Sequence, residues 1–265
     1  MEEKKKDNII EIPHGEVAEI PIFYTNDLHG ELEKFGSIAT IVRKKQKDGE
    51  KFLLFDAGDF ASGTQVANAH KGKPMVELFN ISPYDAVGLG EGELMFDADG
   101  LKHIVEELKP PVLCANLYVR NEARPFPGVK PFIIKEFADI KFAVTSLING
   151  RAINLAREKT NSPLPGLDTI EIRPHNEVMK EILEEVKKEG AQKIILLSHL
   201  GIDSDSSLAA AFPEIDVIIS GHSHSQLLQP VMVKNTFIVS SGSGGNYLGS
   251  LTLNIADVIS LKMSK

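Results

Sequence analysis

Two histidines two residues apart, His222 and His224, follow an apolar run that closes at Ile218-Ile219-Ser220-Gly221. Along an extended backbone, residues i and i+2 point to the same side. Both imidazoles can therefore face one centre just past a strand end, and histidine is the commonest metal ligand among side chains. An isolated His-x-His is also compatible with a solvated polar loop. Three further stretches weigh against that. Ile22-Phe23-Tyr24 leads into Asp27-Leu28-His29, Phe52-Leu53-Leu54-Phe55 into Asp59, and Ile194-Ile195-Leu196-Leu197 into His199.

Asp27, His29, Asp59, His199, His222 and His224 offer two carboxylates and four imidazoles. That exceeds the three or four protein ligands of one zinc-like ion. It suits two ions sharing a bridging carboxylate, as in hydrolases that hold a metal pair roughly 3.5–4 Å apart. Mixed nitrogen and oxygen ligation favours Mn, Zn, Fe or Co over Mg or Ca.

Such a set needs strands whose carboxyl ends lie together. Apolar runs predict core strands over Ile20 to Thr25, Phe52 to Phe55, Asp85 to Leu89, Pro111 to Ala115, Lys193 to Leu197, Asp216 to Ser220, Phe237 to Ser240 and Leu248 to Ile255. Helical periodicity falls on Lys34 to Lys47, Pro74 to Asn80, Leu101 to Leu108 and His175 to Lys188. Phe132 to Phe137 and Ile140 to Leu147 flank Ala138-Asp139 as a hairpin. Gly63 to Asn68 and Gly150 to Leu167 read as loops. A polar arm, residues 1 to 18, carries one possible short strand at Ile9 to Ile12, and residues 19 to 265 read as a single domain. Alternating strands and helices followed by antiparallel pairs predict an α/β architecture with layered sheets. In open α/β sheets, ligands bind outside the strands' carboxyl ends, where these Asp and His residues fall.

The 265 residues carry a net charge of -8, which disfavours nucleic-acid polymers as partners. Small anionic substrates remain open where metal ions supply positive charge. No apolar stretch approaches a membrane span, and the charged start lacks the apolar core of a signal peptide. The chain as written is expected in the cytoplasm, or in the periplasm or outside the cell if an export signal was removed. The lone cysteine, Cys114, reads as a core thiol. His70, His103 and His175 read as surface histidines.

The order Asp-x-His, Gly-Asp, a later His, then Gly-His-x-His resembles the calcineurin-like metallophosphoesterase superfamily. Thr25-Asn26-Asp27-Leu28-His29-Gly30, Asp56-Ala57-Gly58-Asp59, Ser198-His199-Leu200-Gly201 and Tyr247-Leu248-Gly249 are similar to its 5′-nucleotidase branch. The resemblance implies a four-layer α/β/β/α sandwich and a metal-dependent phosphatase acting on small phosphorylated substrates. It also implies a ligand assignment, with Asp27, His29 and His224 on one metal, His199 and His222 on the other, and Asp59 bridging.

Two departures stand out. The family's Gly-Asn-His-Glu is here Gly90-Glu91-Gly92-Glu93. Glu91 replaces a metal-binding Asn, and ligation is the favoured role for it, ahead of acid–base work or a turn to solvent. Glu93 is expected to accept hydrogen bonds beneath the loop. Gly92 replaces a histidine that acts near the phosphoryl group, so Glu91→Asn with Gly92→His is expected to raise phosphomonoesterase activity. The chain also ends soon after Ile255, where full 5′-nucleotidases continue into a nucleoside-clamping domain, so nucleotide specificity is not expected. A sulfur-ester hydrolase or a non-catalytic metal-binding sensor on this scaffold are the alternatives. Asn116, after the fourth strand, is a candidate substrate contact or a turn cap.

Overall fold

The computed structural model describes residues 17–256. The possible strand at Ile9 to Ile12 and residues 1–16 of the expected polar arm lie outside them, whereas Val17 and Ala18, expected in the arm, open the first strand. In chain order the elements are β1 (Val17–Thr25), α1 (Leu32–Lys47), β2 (Leu53–Asp56), α2 (Gln65–Ala69), α3 (Lys73–Asn80), β3 (Ala86–Gly88), α4 (Glu91–Leu94) and α5 (Asp97–Glu107). Then come β4 (Val112–Leu113), β5 (Leu117–Val119), β6 (Phe132–Phe137), β7 (Ile140–Ile148), α6 (Ala152–Thr160), β8 (Ile170–Ile172) and α7 (His175–Lys188). The chain closes with β9 (Lys193–His199), α8 (Ile202–Ala211), β10 (Val217–Ser220), β11 (Val231–Val233), β12 (Thr236–Val239) and β13 (Gly249–Ala256).

One sheet has the order β13-β1-β2-β3-β4, the other β11-β12-β10-β9-β7-β6, and β5 pairs with β8 apart from both. The pairs along β1-β2-β3-β4 and β7-β9-β10-β12 are parallel, while β13, β6 and β11 add antiparallel edges. Alternation along each strand sends side chains to opposite faces. Ile20, Ile22, Leu53 and Phe55 from the first sheet meet Phe142, Val144, Ile195, Leu197 and Ile219 from the second, forming a core between the sheets. The opposite face of the first sheet packs Leu54 and Val87 under Phe35 and Ile38 of α1 and Met75 and Phe79 of α3. The opposite face of the second packs Leu196 and Ile218 under Val178 and Ile182 of α7 and Leu208 of α8. Three cores between four layers make an α/β/β/α sandwich, as the resemblance implies. Because β2 and β10 are covered on both faces, each is a continuous apolar run.

The hairpin falls where expected, with Ala138 and Asp139 both at positive φ, the backbone that a two-residue turn of the type I′ kind requires. Cys114 is buried, and burial pushes its thiol up to about 12. Two expected loops contain helices. Thr64 caps α2, its hydroxyl accepting from Ala67 N. In α6 the buried positions are the alanines Ala152 and Ala156, one turn apart. Neither α8 nor the β5–β8 pair is evident in the sequence pattern. Among the described residues, no helix is long and apolar enough to cross a membrane.

Helix α8 carries a buried carboxyl, Asp205, held by the Ser198 hydroxyl, with Oδ2 left unpartnered. Burial pushes it from 3.8 up to about 6 against the Ser198 hydrogen bond. A carboxyl whose folded pKa is raised stabilises the fold fully below its unfolded value, and that contribution is lost as pH rises through about 6. In the metal-free protein, Asp205→Asn is therefore expected to gain about 3 kcal/mol over the native chain at pH 7.5 and only about 1 kcal/mol at pH 4.5. Urea titrations at both pH values check this, and an equal gain at both would rule the buried charge out as the cause.

Candidate metal centre

The carboxyl ends of β1, β2, β3, β9 and β10 lie at one edge of the sandwich, and the loops leaving them carry the ligand-type residues. Asp27 and His29 follow β1, Asp59 follows β2, Glu91 opens α4 after β3, His199 ends β9, and His222 and His224 follow β10. The backbone departs from ordinary geometry to aim them. Asp27, His29, Asp59, His222 and His224 all have positive φ. That conformation costs an L-residue about 1–2 kcal/mol, and such strain gathers at functional sites.

The two sheets are tied together beneath the cluster. His199 Nδ1, at the end of β9, bonds Ala57 O, just past β2, at 2.8 Å. The carboxylate of Asp27 accepts His222 N at 3.1 Å and Asn26 Nδ2 at 2.7 Å. Asn26 in turn accepts from Ser241 N and donates to Gly242 O, so it locks the Asp27 loop to the one after β12. Asp56 stays out of the cluster and accepts from Thr25 Oγ1 and Gly58 N.

Three overlapping triads result, each with ligand atoms within 4.8 Å of one another. They are Asp27 with His29 and His224, Asp27 with Asp59 and His199, and Glu91 with His199 and His222. His29 Nε2 lies 2.8 Å from His224 Nε2, and each is within 3.8 Å of Asp27 Oδ1. His199 Nε2 lies 3.4 Å from Asp59 Oδ1 and 3.3 Å from Glu91 Oε2. His222 Nδ1 is 3.1 Å from Glu91 Oε1. Metal bonds of about 2.0–2.2 Å place neighbouring ligand atoms about 3–3.5 Å apart, close to the 2.8 to 3.8 Å seen here. Buried Asp59 Oδ2 and His199 Nε2 have no hydrogen-bond partner. Unsatisfied buried polar atoms of this kind call for an explanation, and a metal ion supplies one. The donor set fits a divalent transition metal.

Of the three orientations open to Glu91 in the sequence, the structure excludes the solvent-facing one, since its carboxylate is buried among His199, His222 and Lys159. Glu93 is fully buried and accepts from four backbone groups: Asp59 N, Phe60 N, Ala61 N and Gly90 N. Asn116 differs from the substrate contact expected of it. Its amide donates to Ile148 O and Arg173 O and accepts from Ile148 N, all backbone, so it serves as a strut between the loop after β4 and β7. His70 and His103 are exposed and His175 half-buried, and none belongs to a ligand triad. Lys159 of α6 was not singled out by the sequence. Its Nζ donates to Glu91 Oε1 at 2.9 Å and lies 3.9 Å from Asp59 Oδ2.

The calcineurin-like phosphoesterase family profile matches residues 20–226. The chain belongs to that family. It is 33% identical over 245 residues to the uncharacterized metallophosphoesterase YunD of Bacillus subtilis, covering 89% of this chain and 50% of that protein. It is 30% identical over 225 residues to a probable 5′-nucleotidase of Treponema pallidum, covering 78% of this chain and 37% of that one. The chain thus spans half or less of the length of these relatives. Its fold matches the 5′-nucleotidase precursor of Thermus thermophilus with a TM-score of 0.75 at 20% identity, over 90% of this chain and 54% of that one.

Against the family's third motif, Gly92 is not a simple deletion of an imidazole. A Cβ built there would lie 2.8 Å from Ser62 Oγ and 3.1 Å from Asp59 Oδ1. At Gly90 it would lie 2.1 Å from Asp59 Oδ1. The loop closes tightly on Asp59, with Gly92 N donating to Oδ1 at 2.6 Å. Gly92→His therefore requires Ser62 Oγ to rotate away and the Asp59 carboxylate to give by a few tenths of an ångström, and the gain in activity expected from restoring the motif comes only with that adjustment.

The electrostatics of this family site favour a bound cation. Burial opposes charge on His199, but Asp59, Glu91 and Asp27 outweigh it and hold the imidazole well above its usual 6.5. Burial likewise opposes ionisation of Glu91, yet the imidazoles of His199 and His222 packed against its carboxylate hold it well below the usual carboxylate range. Without metal, His199 is protonated at neutral pH and must lose that proton to ligate. Loading with Mn²⁺ at pH 7 is therefore expected to release about one proton per chain, with affinity falling as pH drops. Calorimetry in two buffers of different ionisation enthalpy reads this directly, and heats that do not depend on the buffer would contradict it.

Proposed function

We propose that this chain is a dinuclear metal-dependent hydrolase of phosphate esters. The observation that carries the proposal is the overlap of the triads, since Asp27 and His199 each belong to two of the three. Overlapping sets support a pair of ions better than a single one. Asp27, His29 and His224 would hold one ion and Glu91, His199 and His222 the other, with Asp59 between them. Bound divalent ions would supply Lewis acidity toward a phosphoryl oxygen and would lower the pKa of water at neutral pH. The chain's own part is placement. Asp27 is fixed by His222 N and Asn26, and Glu91 by the imidazoles around it. Half-exposed His29 and exposed His224 leave the cluster open on one side to a small phosphorylated substrate. We assign the activity to the single domain that β1 opens at Val17, expected from the sequence to run to residue 265.

The test is turnover of p-nitrophenyl phosphate and bis-p-nitrophenyl phosphate by the Mn²⁺-loaded protein, followed by nucleotide 5′-monophosphates, because several relatives bear the name 5′-nucleotidase. Hydrolysis that a chelator abolishes is the expected result. Two bound equivalents of metal with no turnover of any ester would leave a metal-binding protein instead. A second reading is favoured by Gly92, which leaves no side chain at the family's histidine position. Hydrolysis of a sulfur-containing ester with phosphate esters untouched would select it.

A further inference from the structure

A lysine beside a cluster of metal ligands needs a reason. Its charge repels the cations that the carboxylates attract. Among the described residues, Lys159 is the lysine or arginine that forms an ion pair with the cluster, through Glu91 and Asp59. Helix α6, which carries it in its last turn, packs on α4, which carries Glu91. Glu91 does not depend on it, because His222 Nδ1 and His199 Nε2 lie within 3.3 Å of the same carboxylate. The Lys159 side chain is 43% exposed, so its ammonium stands at the mouth of the cluster with a path to solvent. When Asp59 and Glu91 are engaged with ions, the ammonium loses its partners while keeping its charge and three donors. An anion arriving at the mouth is the partner left to it.

We propose that Lys159 is a substrate-anchoring residue whose ammonium donates to a non-bridging oxygen of the phosphoryl group. This rests on the phosphoesterase reading. Lysine acts here as a point charge for a tetrahedral dianion, beside the Glu91 and Asp59 carboxylates that its ammonium already reaches.

The test compares the manganese-loaded native protein with Lys159→Met and Lys159→Arg. Exposure of the side chain leaves little risk to folding. Three quantities are measured: affinity for inorganic phosphate by calorimetry, metal content by elemental analysis, and the KM and kcat for p-nitrophenyl phosphate. Lys159→Met is expected to weaken phosphate binding and to raise KM by about 10-fold or more, the scale of one charge-assisted hydrogen bond. Metal content should stay at or above the native level, and Lys159→Arg should recover most of the affinity. Phosphate affinity unchanged in Lys159→Met, with metal retained, overturns the anchor and leaves Lys159 as a shield over Glu91. If that happens while the native protein hydrolyses the ester, the phosphoesterase reading stands and the anchor alone falls. A native protein that takes up metal yet neither binds phosphate nor turns over ester overturns both.

Discussion

On the proposed dinuclear reading, Asp59→Asn is expected to reduce bound metal from two equivalents to at most one and to abolish most phosphoesterase activity. The buried carboxylate has two differently employed oxygens. Oδ1 accepts from Gly92 N at 2.6 Å, and Oδ2 has no partner. An amide nitrogen cannot face the Gly92 donor, so the asparagine must turn its NH₂ to the Oδ2 side. A donor then points where the ions belong. One negative charge also leaves a site whose cation affinity comes from carboxylates. Loss of an outer-shell partner typically costs about 10–100-fold in metal affinity or activity, and a residue shared between ions should cost more. Stability should change little, since the bond to Gly92 survives. Elemental analysis, kinetics and a thermal melt on one preparation test it. Two ions retained, with activity within tenfold of native, would sink the bridging role.

Glu93→Ala should have the largest effect on stability. Four backbone N–H groups from Asp59, Phe60, Ala61 and Gly90 converge on one fully buried carboxylate, at 2.8 to 3.1 Å. Each donor left without a partner costs about 1–3 kcal/mol. A loss of about 4 kcal/mol or more is therefore expected, a large fraction of typical domain stability. Metal binding should fail with it, because these bonds shape the turn that carries Asp59. Burial, then the charge of Asp59, push the Glu93 carboxyl up to about 7 against its backbone donors. Its stabilisation is full below the ordinary 4.5 and is lost as pH rises through about 7. Alanine does not titrate, so the deficit of the variant should be larger at pH 5.5 than at pH 8. Denaturant titrations of the metal-free proteins measure both quantities. A deficit under about 1 kcal/mol would show that water or backbone rearrangement replaces the carboxylate.

The two variants separate the jobs of two acids that meet from different elements, Asp59 from the loop after β2 and Glu93 from α4. Asp59 turns one oxygen outward to the cluster, whereas Glu93 spends both oxygens on the backbone. For Gly90-Glu91-Gly92-Glu93 the roles expected from the family motif are ligation for Glu91 and hydrogen-bond acceptance beneath the loop for Glu93, and Glu93 takes its expected place. Glu91 and Glu93 are alike in type and two residues apart, and the short helix α4 sends one to the imidazoles and the other beneath the loop.

Local chemistry along the chain was enough to place Asp27, His29, Asp59, His199, His222 and His224 just past strand ends. Apolar runs that stop at Asp or His are patterns of a few residues, and a strand covered on both faces must be apolar throughout. The layered α/β arrangement follows from the same periodicities. Helix α6 was hidden because the residues it buries are small alanines, Ala152 and Ala156, which give little hydrophobic signal. Long-range packing settled the remainder. Asn116 has the type of a ligand contact, but backbone groups from β7 and Arg173 consume its amide. A side chain at Gly92 would start 2.8 Å from Ser62 Oγ and 3.1 Å from Asp59 Oδ1, contacts that only the folded loop creates. Lys159 reaches Glu91 across 68 positions of sequence. Propensity and periodicity act over a turn or two of chain, while a contact across that distance exists only once α6 has docked against α4.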